Sequence, residues 1–123
     1  MGLFSFSSKP KVNLPWITLT TENQLREAIT LSVEKPVLLF KHSTRCSISS
    51  MALSRFEENW KNENDTCAIY FLDLIAFRSL SNLIAELTHV EHQSPQVIVL
   101  SNKEVIYSAS HSEIDAKEIE TLF

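Results

Sequence analysis

"PVLLFKHSTRCSISSMALSRFEENW" (residues 36–60) decides the fold. Pro36 to His42 is a near-continuous apolar run of strand length, bounded by a proline and a polar turn, the pattern expected of a central strand covered on both faces. After the turn, Ile48, Ala52, Phe56 and Trp60 recur every four residues with Met51 and Leu53 alongside. That period predicts an amphipathic helix beginning at or beside Cys46, with the row from Ile48 to Trp60 as its core face. A strand, a short turn and a helix therefore meet at one cysteine. A sulfur so placed lies against the unpaired amide hydrogens of a first helical turn, which favour thiolate over thiol; Arg45, Lys41 and His42 are candidate positive charges around it. Thiolate is the attacking species in disulfide exchange. A lone cysteine is also frequently a small buried apolar residue, so this stretch alone leaves both readings open.

Upstream, residues 1–15 read as a flexible tail closed by Pro15, and Trp16 to Leu19 as a short strand. Thr20 or Thr21 then caps a helix with Leu25, Ala28, Ile29 and Ser32 inward and Glu22, Arg26 and Glu27 outward, ended by Pro36. Downstream, "TCAIYFLDL" (66–74) is a second buried strand. "SLSNLIAELTHV" (79–90) is a helix with Leu80, Leu83, Ile84 and Leu87 inward, and "PQVIVLS" (95–101) a third buried strand. Asn102 and Lys103 make a tight connection into "EVIYSAS" (104–110), predicting an antiparallel hairpin, and "EIDAKEIETLF" (113–123) closes the chain as a helix. The expected architecture is one α/β domain over 16–123, with a mixed sheet flanked by helices in the order β-α-β-α-β-α-β-β-α. This is the order of the thioredoxin-like fold.

Composition narrows the function. A net charge of -4 gives no electrostatic case for nucleic acid. The single glycine, Gly2, excludes glycine-rich phosphate loops and dinucleotide fingerprints. Cys46 and Cys67 form neither a disulfide framework nor a zinc pattern, so no metal and no tightly bound cofactor is expected. No secretory signal and no membrane-length apolar run is legible, which makes the expected location the cytoplasm, where both cysteines stay thiols. Cys67, inside an apolar strand, reads as core packing.

In thioredoxin-like proteins the residue facing the active cysteine is a cis-proline that opens the strand after the third helix. "HQSPQVIVL" (92–100) puts Pro95 there, so a cis Ser94–Pro95 bond is expected over an ordinary trans one, leaving the Ser94 backbone free to pair with an incoming disulfide. Together "KHSTRCSIS" (41–49), "RSLSNLIAE" (78–86), "HQSPQV" (92–97) and "SHSEI" (110–114) resemble the monothiol bacilliredoxin family, the YtxJ-type bacillithiol-system proteins. The resemblance is collinear from Trp16 to the C-terminus. It implies a thioredoxin-like fold and thiol-disulfide exchange with S-bacillithiolated proteins, with bacillithiol or a similar low-molecular-weight thiol as co-substrate. Two departures stand beside it: Ser47 where the family has proline, and Arg45 where it has threonine. The first removes a rigid helix-start residue and the second adds charge.

The candidate catalytic residue is Cys46, and Thr44, Arg45, Ser49, Ser94 and Pro95 are candidate substrate-binding residues. Ser49 occupies the resolving position, so a one-cysteine cycle is expected. Phe40, where dithiol thioredoxins usually carry a buried carboxylate, agrees with that cycle. Ser43, Thr44 and Ser49 are either hydrogen-bond donors or helix cap near the sulfur, or solvated turn residues. His42 is either a proton shuttle or a polar strand end. Lys41, Arg45 and Lys103 are candidate docking charges for bacillithiol carboxylates. His92 and His111 match shared segments, where loop packing and helix capping are the expected roles. Two rivals remain: a non-catalytic thioredoxin-like adaptor or sensor modified at Cys46, and, ranked last, an iron-sulfur carrier, because "CSIS" lacks the glycine and phenylalanine of the Cys-Gly-Phe-Ser motif. Oligomeric state is not legible.

Overall fold

The computed structural model describes residues 14–63 and 65–123. The strands are β1 (Ile17–Thr18), β2 (Val37–His42), β3 (Ala68–Asp73), β4 (Gln96–Ser101) and β5 (Glu104–Ser110). The helices are α1 (Glu22–Leu31), α2 (Ser47–Asn59), α3 (Arg78–Thr88) and α4 (Ala116–Glu120). Their order is the one the sequence pattern predicts. Of the expected tail, residues 1–13 lie outside the described residues, while Leu14 packs against the core.

Local chemistry explains the boundaries. Thr21 is extended, its hydroxyl accepts from the Gln24 amide at 3.1 Å, and the Gln24 side chain accepts in turn from the Thr21 amide, a reciprocal cap that starts α1. Asp115 caps α4 by accepting from the amides of Lys117 and Glu118. Asn102 and Lys103 take φ values of 53° and 66°, the left-handed pair that a two-residue hairpin between β4 and β5 requires. The last helix is shorter than its periodicity suggests. A single 3-10 turn at His111–Glu113 precedes it, and α4 spans only Ala116–Glu120.

The sheet runs β1-β3-β2-β4-β5. β2 lies at its centre, parallel to β3 and antiparallel to β4, and all six of its residues are buried. Alternation along β2 sends successive side chains to opposite faces. Leu38 and Phe40 join Leu53, Phe56, Trp60, Ile69 and Ile119 on the α2/α4 side. Val37 and Leu39 join Leu25, Ala28, Leu80 and Ile84 on the α1/α3 side. The first face is aromatic: the Phe56 ring stacks on Trp60 at 5.0 Å and meets Phe40 edge-on at 5.5 Å, and Trp16 lies 5.7 Å from Phe56 and 5.8 Å from Phe71. The Trp16 indole N–H donates to Glu57 at 2.8 Å, tying the start of the domain to α2.

One core expectation is corrected. Ala52, Phe56 and Trp60 are buried, but Ile48 is 58% exposed, and Met51 beside it is 45% exposed. In the first turn of α2 it is Ser49 and Ser50 that are buried, so the side that packs inward there is one residue off the row that Ile48 belongs to. Among the described residues no helix is long and apolar enough to cross a membrane.

Candidate functional site

The site forms where β2 ends. The chain leaves the sheet at His42, and Ser43 to Arg45 make a turn closed by the Cys46 amide donating to the Ser43 carbonyl at 3.2 Å. Cys46 is the residue that caps α2, extended at φ -115° and ψ 120°, and its carbonyl accepts the Ser50 amide at 3.0 Å. Its side chain makes no capping hydrogen bond. Cys46 is half-buried, with exposed Arg45 and Ser47 on either side. The cap therefore falls on Cys46 itself. The alternative of Thr44 as cap is corrected: Thr44 sits in the turn, two residues before the helix boundary.

Ser49 is fully buried, and its hydroxyl lies 2.7 Å from His42 Nδ1 and accepts the Ser43 amide at 3.0 Å. That corrects its expected substrate contact: the hydroxyl braces the turn from beneath instead of facing outward. His42 is the polar residue that ends β2, fully buried and against Phe71. In the position a resolving thiol would occupy there is thus a hydroxyl that is already engaged. Cys67 is 1% exposed and far along the chain in β3's approach, and burial pushes its thiol up to about 12. Phe40 fills the aromatic core with no carboxylate beside it on β2.

β4 brings the second component. Lys41 pairs with Gln96 across β2 and β4, so Pro95 stands one step further on, at the end of the sheet from which the chain departs for Cys46. The Ser94–Pro95 peptide is cis. Pro95 is buried, its carbonyl accepts the His111 amide at 3.1 Å, and the Ser94 hydroxyl is enclosed without a hydrogen-bond partner. His111 therefore acts through its backbone, at φ 57°, to hold Pro95.

Two docking charges are corrected. Lys103 lies in the β4–β5 turn, at the end of the sheet opposite Cys46, because β4 runs antiparallel to β2. Lys41 is 0% exposed and, by the alternation of β2, points to the α1/α3 side. There its ammonium donates to the Ser81 carbonyl at 3.2 Å and sits 3.2 Å from His92 Nδ1. Of the three cations only Arg45 remains exposed beside the sulfur. The polar group of buried Lys41, Ser81 and Gln96 with half-buried His92 is what sequence reading missed. Its signal was a lysine inside a run of otherwise apolar strand residues, with the other three residues in the matched segments.

Burial lowers the Lys41 ammonium to about 8. Between that value and the unfolded one near 10.5, the unfolded chain holds a proton that the folded chain has released, so this group makes stability rise with pH across that window. Below about 8 both states are protonated and the full cost of the buried charge is present. Cys67, Tyr70 and Tyr107 act oppositely at high pH, since burial raises all three and the unfolded state ionises first. The clean quantity is a difference. The stability of the native chain minus that of Lys41→Met is expected to climb by about 3 kcal/mol from pH 7 to pH 10.5, read from urea denaturation at a series of pH values. A flat difference would mean that the ammonium is not desolvated.

Comparison with known proteins places this geometry. The family model of the monothiol bacilliredoxin BrxC matches residues 17–119. A solved structure of a proposed oxidoreductase with a thioredoxin fold is 31% identical, covering 87% of this chain and 92% of that one at a TM-score of 0.74. Thioredoxin from Malassezia sympodialis is 16% identical over 93% of this chain and 90% of its own, at a TM-score of 0.66. Thioredoxin from Fasciola hepatica is 10% identical over 85% and 93%, at a TM-score of 0.65. The two thioredoxins share the fold. Fold and family together assign a thiol redox function.

Proposed function

The chain belongs to the monothiol bacilliredoxin family, and we propose that it is a thiol-disulfide oxidoreductase that removes bacillithiol, or a small thiol of similar chemistry, from protein mixed disulfides through Cys46. The observation that carries this reading is a half-buried free cysteine that caps α2, with a buried serine where a second thiol would stand. The Cys46 thiolate attacks the small-thiol sulfur of the mixed disulfide. The old S–S bond breaks, the target protein leaves as thiolate, and Cys46 keeps the small thiol in a new disulfide. A second small-molecule thiolate then attacks the small-thiol sulfur of that adduct, forming the small-molecule disulfide and returning Cys46 as thiolate. The free small thiol of the second step is the reductant: its sulfur is oxidised to the disulfide level as the target's sulfur is reduced to a thiol, so the two steps balance with Cys46 returned unchanged.

The neighbours divide the remaining work. Arg45 offers an exposed guanidinium to the carboxylates of a small thiol. The Ser94–Pro95 backbone is the surface along which the disulfide lies, held by His111. Thr44 contributes at the turn, and Ser49 supports it from beneath through His42 and Ser43. A bacillithiolated model protein is the substrate that tests this. With a trace of this chain and free bacillithiol in excess, the model protein's thiol is expected to reappear with many turnovers per chain. Recovery no faster than with bacillithiol alone would leave the non-catalytic adaptor or sensor in its place.

A further inference from the structure

Three of the matched segments meet in one polar cluster on the α1/α3 side of the sheet, with Lys41, Ser81 and Gln96 buried and His92 half-buried. Lys41 Nζ donates to the Ser81 carbonyl and reaches His92 Nδ1, each at 3.2 Å, and the Ser81 hydroxyl reaches the same nitrogen at 3.3 Å. An ammonium has donors only, so Nδ1 must accept and the ring proton rests on Nε2. Burial, Lys41 and Arg78 all lower the His92 ring, which keeps it the neutral acceptor that this contact needs. Among the described residues no carboxylate forms a salt bridge with Lys41.

This ammonium is therefore not half of an ion pair. A side chain of the same reach without charge would fill the space with no desolvation penalty. What the lysine holds is the connection from α3 to β4, which has no regular structure from Val90 to Gln93. Gln96, 3% exposed, grips the same stretch: its amide nitrogen donates to the Glu91 carbonyl at 2.9 Å and its oxygen accepts the Gln93 amide at 3.4 Å. Together with the His111 contact to the Pro95 carbonyl, the loop is tied at residues 91, 92, 93 and 95.

We propose that Lys41 is a positioning residue for thiol exchange, which through His92 sets the loop leading into Ser94–Pro95 and so the backbone that receives the disulfide beside Cys46. The inference rests on the exchange function above. Lys41 touches neither sulfur nor substrate; it acts through the loop.

The variants Lys41→Met and His92→Leu test it, the second because it spares the strand should the first disturb folding. Exchange kinetics with a bacillithiolated protein should show KM raised about tenfold to a hundredfold in both variants, the cost of a misplaced binding surface. Alkylation of Cys46 by iodoacetamide needs no loop and should proceed at the native rate. In Lys41→Met the His92 ring, followed by nitrogen-detected magnetic resonance, should titrate at higher pH than in the native chain. An active native chain with unchanged KM in both variants would overturn the inference. An inactive native chain would overturn the exchange function itself, and this role with it.

Discussion

Cys46→Ala is expected to lower exchange with a bacillithiolated protein to the rate measured with small thiol alone. The argument is chemical: the other cysteine, Cys67, is 1% exposed and held as the neutral thiol by a value near 12, so no second nucleophile can take over at neutral pH. It is also structural. Because Cys46 is only half-buried and its side chain makes no capping hydrogen bond, its truncation should change stability by no more than about 0.5 kcal/mol. Loss of activity with an unchanged urea midpoint separates a missing nucleophile from a damaged fold. Cys67→Ala is the matched control and should retain exchange. Residual turnover by Cys46→Ala would show that the sulfur is not the reacting atom.

The largest effect on stability is expected from Phe56→Ala. Phe56 is 1% exposed and touches three aromatic neighbours, Trp16, Phe40 and Trp60, with centroids 5.0 to 5.7 Å away. Removing a buried phenylalanine ring costs about 3–5 kcal/mol, a large share of the 5–15 kcal/mol that holds a domain of this size. The thermal midpoint should fall by about 10–20 °C. Phe56 lies on α2, whose first residue follows Cys46, so the surviving folded molecules should also exchange more slowly as the helix loses its seat. A fall of only a few degrees would mean that the aromatic cluster repacks around the gap.

Much of this was legible before any coordinates. The fully buried run of β2, the period of α2 and the two-residue turn after β4 each rest on one local rule, and each element appears where that rule puts it. Cys46 as the junction and Ser94–Pro95 at the same end of the sheet followed from element order. What was not legible depends on which face a residue occupies and on what covers it. Ile48 obeys the period of α2 yet has nothing to cover it. Lys41, next to His42 in sequence, is one alternation away from it in space and therefore on the far side of the sheet from the α2 core. Lys103 is near the site on no measure but charge, because the antiparallel course of β4 carries it to the opposite end. Ser49 has the right spacing from Cys46, but spacing does not say that its hydroxyl is already engaged by His42 and Ser43.

The most direct measurement is intact mass and peptide mapping of the protein, acid-quenched moments after mixing with one equivalent of a bacillithiolated protein and no free thiol. The mechanism requires the mass of bacillithiol on the peptide bearing Cys46, an unmodified Cys67, and one thiol released on the partner for each adduct formed. An unmodified Cys46 while the partner stays blocked, or the small thiol attached at Cys67 instead, would contradict it.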